Sequence, residues 1–305
     1  MRRPRGPYAI LMSGQLSERA GMGVPLSRHP LFERLCDEYD TLAGGRFRRW
    51  MTVAPQEEIS EKYTAPAVMV LYDCLCGRVA AEEWGPPAVV AGYSLGFYAA
   101  AVLSGCMGEA LVLEWLDRVN ACNRRTFPDG AFQVAAVTGL SSPDLLRRLG
   151  EWGLGRVEVA DVNNSRQLIV AGPTEEVGQA MASLKGVALD VRGVSLDIPL
   201  HTSHVEPARR EVEGWWASVP VCSPRLPLIS PVDGRLVENE PGFKDHMLRS
   251  LVSPTNWLAV VERLRDMDVT SAIDVSPGGE LGRMSKWTYR EIELLPVSSL
   301  WGEGG

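Results

Sequence analysis

The 305-residue sequence contains no apolar run approaching the roughly 18–20 residues a membrane span needs, so no membrane partner is expected. Cysteine is scarce: Cys36, Cys74, Cys76, Cys106, Cys122 and Cys222 form no CxxC pair, which argues against zinc ribbons and a disulfide framework. Cys74 and Cys76 lie in an apolar helical pattern and read as small hydrophobes. Excess positive charge is also missing; a net charge of −7 argues against nucleic-acid binding by bulk electrostatics. No segment is compositionally extreme, which excludes disorder, collagen-like sequence and low complexity. The N-terminal MRRPRGPYAILMSGQ joins basic residues to an apolar stretch too short for a secretory signal, and a cytoplasmic location is expected. What remains is an ordinary globular composition, 45% hydrophobic and 23% charged, long enough for one large domain or two unequal ones.

Periodicity gives the outline. Tyr8–Met12 reads as a strand ending at Ser13-Gly14-Gln15, and residues 30–42 read as a helix. Residues 60–84 carry apolar positions at helical spacing, broken by Pro86-Pro87. Ala88-Val89-Val90-Ala91 is the continuous apolar run of a buried parallel strand. Helices are expected over 97–103 and 109–124. Between residues 132 and 194 the pattern reads β-α-β-β-α-β, with a cap at Ser141-Ser142-Pro143-Asp144 and a turn at Asn163-Asn164-Ser165. The fold class predicted is α/β: an α/β-hydrolase-like core with a parallel sheet, residues 1–130 and 198–305, carrying an inserted ferredoxin-like subdomain, residues 131–197.

Gly92-Tyr93-Ser94-Leu95-Gly96 is a G-x-S-x-G motif with a strand before it and a helix after it, as a nucleophile elbow requires. The sharp turn lifts Ser94 above the sheet, and the Leu95 N–H opens the following helix, where it can face an oxyanion. A serine hydroxyl needs a base. Four histidines are available. His29 reads as a solvated loop residue and His246 as near-surface on an amphipathic segment. His201, in Ile198-Pro199-Leu200-His201-Thr202-Ser203-His204, lies where the inserted segment returns to the main one; it ranks ahead of His204. A metal site on His201 and His204 lacks a third ligand nearby.

With these blocks in view the chain resembles the malonyl-CoA:acyl-carrier-protein transacylases and the related acyltransferase domains of polyketide synthases. Ser13-Gly14-Gln15-Leu16 with Gly21-Met22-Gly23 is similar to the family's P-G-Q-G and G-M-G, and Tyr63-Thr64-Ala65-Pro66-Ala67 to its T-Q-P-A. Gly92–Ala100 is similar to G-H-S-L-G-E-Y-A-A, and Ile198–Ala208 to the segment around the family's catalytic histidine. Asn164-Ser165 with Val170-Ala171-Gly172, and Asp274–Gly278, also fit. The resemblance implies Ser94 as nucleophile, His201 as general base and the N–H groups of Gln15 and Leu95 as oxyanion hole. It also implies that a main-chain carbonyl orients the histidine, and the segment Ser253-Pro254-Thr255-Asn256-Trp257 assigns that role to Asn256.

Family members that use malonyl groups hold the carboxylate with a helix arginine. Arg118 is the candidate here, because Leu111, Trp115, Arg118 and Cys122 share a helical stripe expected to face inward. An inward arginine is costly without an anion, and its planar fork suits a carboxylate. Three departures leave the acyl group open: Tyr93 replaces His, Phe97 replaces Glu, and Leu200 precedes the catalytic histidine. Tyr93 and Leu200 are therefore counted with Arg118 as substrate-binding. No bound cofactor is expected; a CoA thioester and a phosphopantetheinyl acyl carrier protein are the implied substrates. Arg46, Arg48 and Arg49, or Arg209 and Arg210, are candidate docking patches for an acidic carrier protein. A monomer is expected. The alternatives are a same-fold enzyme for uncharged or aminoacyl groups between carrier proteins, an editing acyl-carrier-protein hydrolase, and a non-catalytic carrier-binding subunit.

Overall fold

The computed structural model describes residues 3–285 and 291–301. Among these residues the strands are β1 (Tyr8–Met12), β2 (Val89–Gly92), β3 (Phe132–Thr138), β4 (Glu158–Asn164), β5 (Gln167–Pro173), β6 (Asp190–Val194), β7 (Leu228–Ile229), β8 (Thr255–Asn256), β9 (Ser271–Asp274) and β10 (Glu293–Pro296). They form two sheets. The order β10-β9-β1-β2-β7 is parallel throughout, and the order β6-β3-β5-β4-β8 is antiparallel except for the parallel pair β4–β8. The fold is mixed α/β.

The period-two alternation of β1 explains how the larger sheet is held. Tyr8, Ile10 and Met12 enter one apolar cluster while Ala9 and Leu11 enter the other, so both faces are covered. On the first face lies the helix Ala65–Trp84, buried on nearly all sides along its first sixteen residues; Cys74 and Cys76 pack there as small hydrophobes. The second face is covered by Trp257–Asp266, whose Trp257, Val260, Val261 and Leu264 join that cluster.

The smaller sheet divides in the same manner. Ala135, Val137, Leu168 and Val170 pack beneath the helices Ser142–Glu151 and Thr174–Leu184. Val134, Ala160 and Ala171 form a second, small apolar surface on the opposite face, with Ile169, Val194 and Leu196 against it. This surface roofs the cleft that holds Ser94.

Several sequence expectations shift at their edges. The long helix starts at Ala65 rather than residue 60, since Pro66 suits a first helical turn. Ser141 caps the next expected helix, accepting a hydrogen bond from the Asp144 N–H. The strand that ends the β-α-β-β-α-β segment is confined to Asp190–Val194, because residues 184–188 turn back on themselves at Gly186. A two-residue strand, Thr255–Asn256, joins the small sheet from outside the segment 131–197; two residues carry no periodic signal. No helix among the described residues is long and apolar enough to cross a membrane.

The elbow leaves no room at its glycines. A Cβ on Gly92 would overlap the Gly96 backbone, and one on Gly96 would overlap the carbonyl oxygens of Met12 and Ser13. Both obstacles are backbone and cannot swing aside. Gly96→Ala should therefore cost about 3 kcal/mol or more, at the upper end for an overpacked core. Chemical denaturation checks this; a loss under about 1 kcal/mol would contradict the packing described.

Candidate active site

Ser94 sits between β2 and the helix Gly96–Leu103 with φ +52°, in the left-handed region disfavoured for side chains bearing Cβ. Such strain, worth roughly 1–3 kcal/mol, persists only where the surroundings impose it. Here they do, because the glycines on either side lock the turn. His201 meets Ser94 with Nε2 2.6 Å from Oγ, and it too has positive φ, +62°.

The helix Glu240–Val252 captures His201 with its terminal carbonyls. The last carbonyls of a helix have no intrahelical partner. The Leu251 carbonyl accepts the His201 backbone N–H at 3.0 Å, and the Ser250 carbonyl accepts Nδ1–H at 2.6 Å. A carbonyl only accepts, so the proton must be on Nδ1, leaving Nε2 to accept from the Ser94 hydroxyl. The helix end adds partial negative charge that would stabilise the imidazolium. This corrects the sequence expectation that Asn256 orients the histidine. The Asn256 side chain instead caps the helix after it, accepting from the Ala259 N–H at 3.1 Å, and its own N–H goes to the Pro231 carbonyl. Ser250 was missed because its role belongs to the backbone, which has no residue signature.

Gln15 follows β1 on a loop anchored from below: the Ser13 hydroxyl donates to Asp73 Oδ1 at 2.6 Å. Asp73 is fully buried, and burial pushes its carboxyl well above the usual range. Among the described residues neither the Gln15 nor the Leu95 N–H has a protein partner. Leu95 is the cap residue of the elbow helix, and both residues line the cleft with Ser94. Leu16, at the position of the family's second glycine, carries φ +70° and stays half-exposed.

Two cavities meet at the dyad. One runs along the helix Glu109–Thr126 past Leu116, Val119 and Asn123. The other lies under the small sheet and is lined by Tyr93, Asp161, Val134 and Ile169. Leu200 lines both. The Tyr93 hydroxyl donates to Asn163 Oδ1 at 2.9 Å, and its ring packs edge-on against Trp257.

Arg118 is not with them. Its guanidinium is 45% exposed, ion-paired to Glu114 at 2.8 Å and stacked over Trp215. The inward stripe of its helix is Val112, Trp115, Leu116, Val119, Cys122 and Asn123, so the phase predicted from Leu111 and Trp115 is rotated by one position. Apart from His201, the basic group lining the two cavities among the described residues is Lys62, already paired with Asp197 at 2.6 Å and Asp129 at 3.1 Å.

Two of the remaining histidines depart from expectation. His29 is not solvated: Nδ1 accepts from the Leu31 N–H and Nε2 donates to Glu83. His246 is buried against Ser230, and burial lowers its pKa. His204 donates to the Arg156 carbonyl at 2.8 Å, away from Ser94. The arginine patches are largely matched by carboxylates: Arg209 and Arg210 both bind Glu206, Arg48 binds Glu33 and Asp37, and Arg49 binds Glu58. Among the described residues no three His, Cys, Asp or Glu side chains are placed to hold a metal ion.

An exposed i,i+4 ion pair and a surface cation–π contact together contribute about 1 kcal/mol. Arg118→Ala should therefore leave the rate of acyl transfer within about twofold of the native protein while lowering stability by that amount. Steady-state kinetics with thermal unfolding check this; a tenfold loss of kcat/KM for a carboxylated acyl group would return Arg118 to the site.

Comparison with known proteins identifies the family. Residues 58–303 match the family described as acyl transferase domain. The malonyl CoA-acyl carrier protein transacylase of Escherichia coli K12 is 25% identical over 297 residues, covering 96% of this chain and 95% of that protein. Its counterpart from Bacillus subtilis is 23% identical over 300 residues, covering 95% and 93%. The solved structure of the transacylase from Coxiella burnetii superimposes with a TM-score of 0.91 at 22% identity, covering 98% and 96%. A malonyl-transacylase solved in complex with a type II polyketide synthase acyl carrier protein superimposes equally well, at 0.91 and 22% identity, covering 97% and 98%. These structures share the fold, and the matched residues include the whole of the elbow and the His201 segment: the chain belongs to the acyl transferase family and is an acyltransferase.

Proposed function

We propose that the chain moves a malonyl or related acyl group from a CoA thioester to the phosphopantetheine thiol of an acyl carrier protein through an acyl-Ser94 ester. The observation that carries this reading is the Ser94–His201 contact of 2.6 Å, with the proton on Nδ1 fixed by the Ser250 carbonyl. Ser94 Oγ bonds to the thioester carbonyl carbon while its proton passes to His201 Nε2. The N–H groups of Gln15 and Leu95 receive the oxyanion. The C–S bond breaks, and His201 returns the proton to the leaving thiolate. The carrier thiol then reverses the sequence, with His201 as base again. The same residues would require no bound cofactor. Carrier protein and acyl-CoA are the partners in this reading, with a monomeric chain in the cytoplasm.

The strand order β6-β3-β5-β4 supports a ferredoxin-like subdomain over 131–197, and the all-parallel sheet with its elbow supports an α/β-hydrolase-like core over 1–130 and 198–305. Thr255–Asn256 adds a core-derived strand to the smaller sheet.

A specific observation favours a second reading of the acyl group. The cavity beside Ser94 takes Leu116 and Val119 from the helix Glu109–Thr126, and its one lysine among the described residues, Lys62, is held by two aspartates. An unpaired carboxylate in such a cavity carries a large desolvation cost. An uncharged group, passed between carrier proteins, fits this lining better, and an aminoacyl group does so where its ammonium finds an anion elsewhere in the cleft.

Intact-protein mass after brief incubation with acyl-CoAs and acyl-carrier proteins tests both readings. An adduct of acyl mass is expected on the native protein and none on Ser94→Ala. Strong labelling by malonyl donors over acetyl donors would support the first reading of the acyl group; the reverse would support the second. An adduct that persists in Ser94→Ala would contradict both.

A further inference from the structure

Asp161 is a buried carboxylate that the acyl-transfer chemistry does not use. It lies on β4 and lines the cavity under the small sheet together with Ser94 and His201. The residue is 8% exposed, and its Oδ1 accepts no hydrogen bond among the described residues. The rest of that cavity is mostly apolar: Val134, Ala160, Ile169, Val194 and Leu196. The charged and polar groups facing the carboxyl are Tyr93, Thr255 and His201. The Thr255 and Tyr93 hydroxyls and the His201 ring each favour the ionised carboxyl, although Tyr93 directs its hydroxyl to Asn163 Oδ1 and His201 is engaged with Ser250 and Ser94; none of them brings a permanent positive charge. Among the described residues no guanidinium or ammonium lines the cavity to neutralise Asp161.

A buried acceptor left without a donor costs about 1–3 kcal/mol, more when it is charged. Such a group in a cavity beside a nucleophile is satisfied when a ligand brings the missing donor. A cation does this best, since it supplies both the N–H and the opposite charge. A second carboxylate would be repelled there. Burial raises the Asp161 pKa, as expected of a carboxyl lacking its counter-charge.

Building on the acyltransferase reading above, we propose that the cavity under the small sheet receives an acyl group bearing an ammonium, and that the Asp161 carboxylate is the specificity-determining acceptor for it. Asp161 takes no part in proton transfer at Ser94; it selects which acyl group is held there. The chain then carries an acidic selector on the small sheet where malonyl-handling relatives would need a basic one on a helix.

The test uses the full chain and pantetheine thioesters of closely matched size: 2-aminobutyryl, 3-aminobutyryl, 3-hydroxybutyryl, 3-methylbutyryl and malonyl. Acylation of Ser94 is followed by intact mass. At least one amino thioester should exceed the 3-methyl compound about tenfold in kcat/KM, and Asp161→Asn should reduce that ratio about tenfold through KM, the scale of one charge-assisted hydrogen bond. Native protein showing no preference for an amine, or a preference unmoved by Asp161→Asn, would overturn the proposal while leaving the acyltransferase reading intact. A hydroxyl preferred equally to the amine would overturn the assignment to a cation. Acylation by CoA or carrier-protein donors but by none of the five would overturn the proposal alone, and acylation by no donor of any kind would overturn both. If Asp161→Asn folds poorly, the non-hydrolysable pantetheine amides serve on Ser94→Ala: the amino amide should raise Tm more than the 3-methyl amide, and equal shifts would overturn the proposal.

Discussion

The capture of His201 by the end of the helix Glu240–Val252 organises the active site. Two successive carbonyls hold one residue: Leu251 fixes its backbone and Ser250 its side chain. The first hydrogen bond stabilises a positive φ that would otherwise be strained, and the second chooses the tautomer. Together they present Nε2 to Ser94 at 2.6 Å. A buried aspartate in this place would bring a full charge with its desolvation cost. A helix terminus supplies a partial charge from groups that need partners in any case. The strain at Ser94 is borne on the opposite side by glycines that leave the turn no other conformation.

Around that dyad the chemistry of catalysis and the chemistry of selection come from different elements. Gln15, Ser94 with Leu95, and His201 arise from loops after β1, after β2 and ahead of the helix Glu206–Ser218, all fixed to the larger sheet or to the helix Glu240–Val252. The walls of the two cavities come from the helix Glu109–Thr126 and from the inner face of the smaller sheet. Substituting wall residues can therefore change the acyl group while leaving the reacting atoms in place.

The sequence disclosed the parts with a strong local signature. Tyr8–Met12 and Phe132–Thr138 are strands over the residues their apolar pattern indicated, because burial on a pleated face imposes that pattern. Ser94 was legible because its turn admits only glycine at two flanking positions. His201 was legible as the histidine at the return from the inserted segment. Residues whose role depends on tertiary placement were not. Arg118 and Val119 are adjacent, and a rotation of one position decides which of them faces the cavity. Ser250 acts through its carbonyl, which any residue could supply. Asp161 lies in a strand pattern with nothing local to mark it; only the approach of β4 to Tyr93 and His201 gives it meaning. The histidines His29 and His246 were misread as exposed because their partners, Glu83 and Ser230, are distant in sequence.

The central claim is that a single nucleophile carries the acyl group between two thiols that react in turn. Initial rates with donor thioester and acceptor carrier protein both varied test it most directly. The account predicts parallel lines in double-reciprocal form, as a ping-pong exchange through acyl-Ser94 requires. Lines that intersect would show that donor and acceptor must be bound together before transfer, and would contradict it.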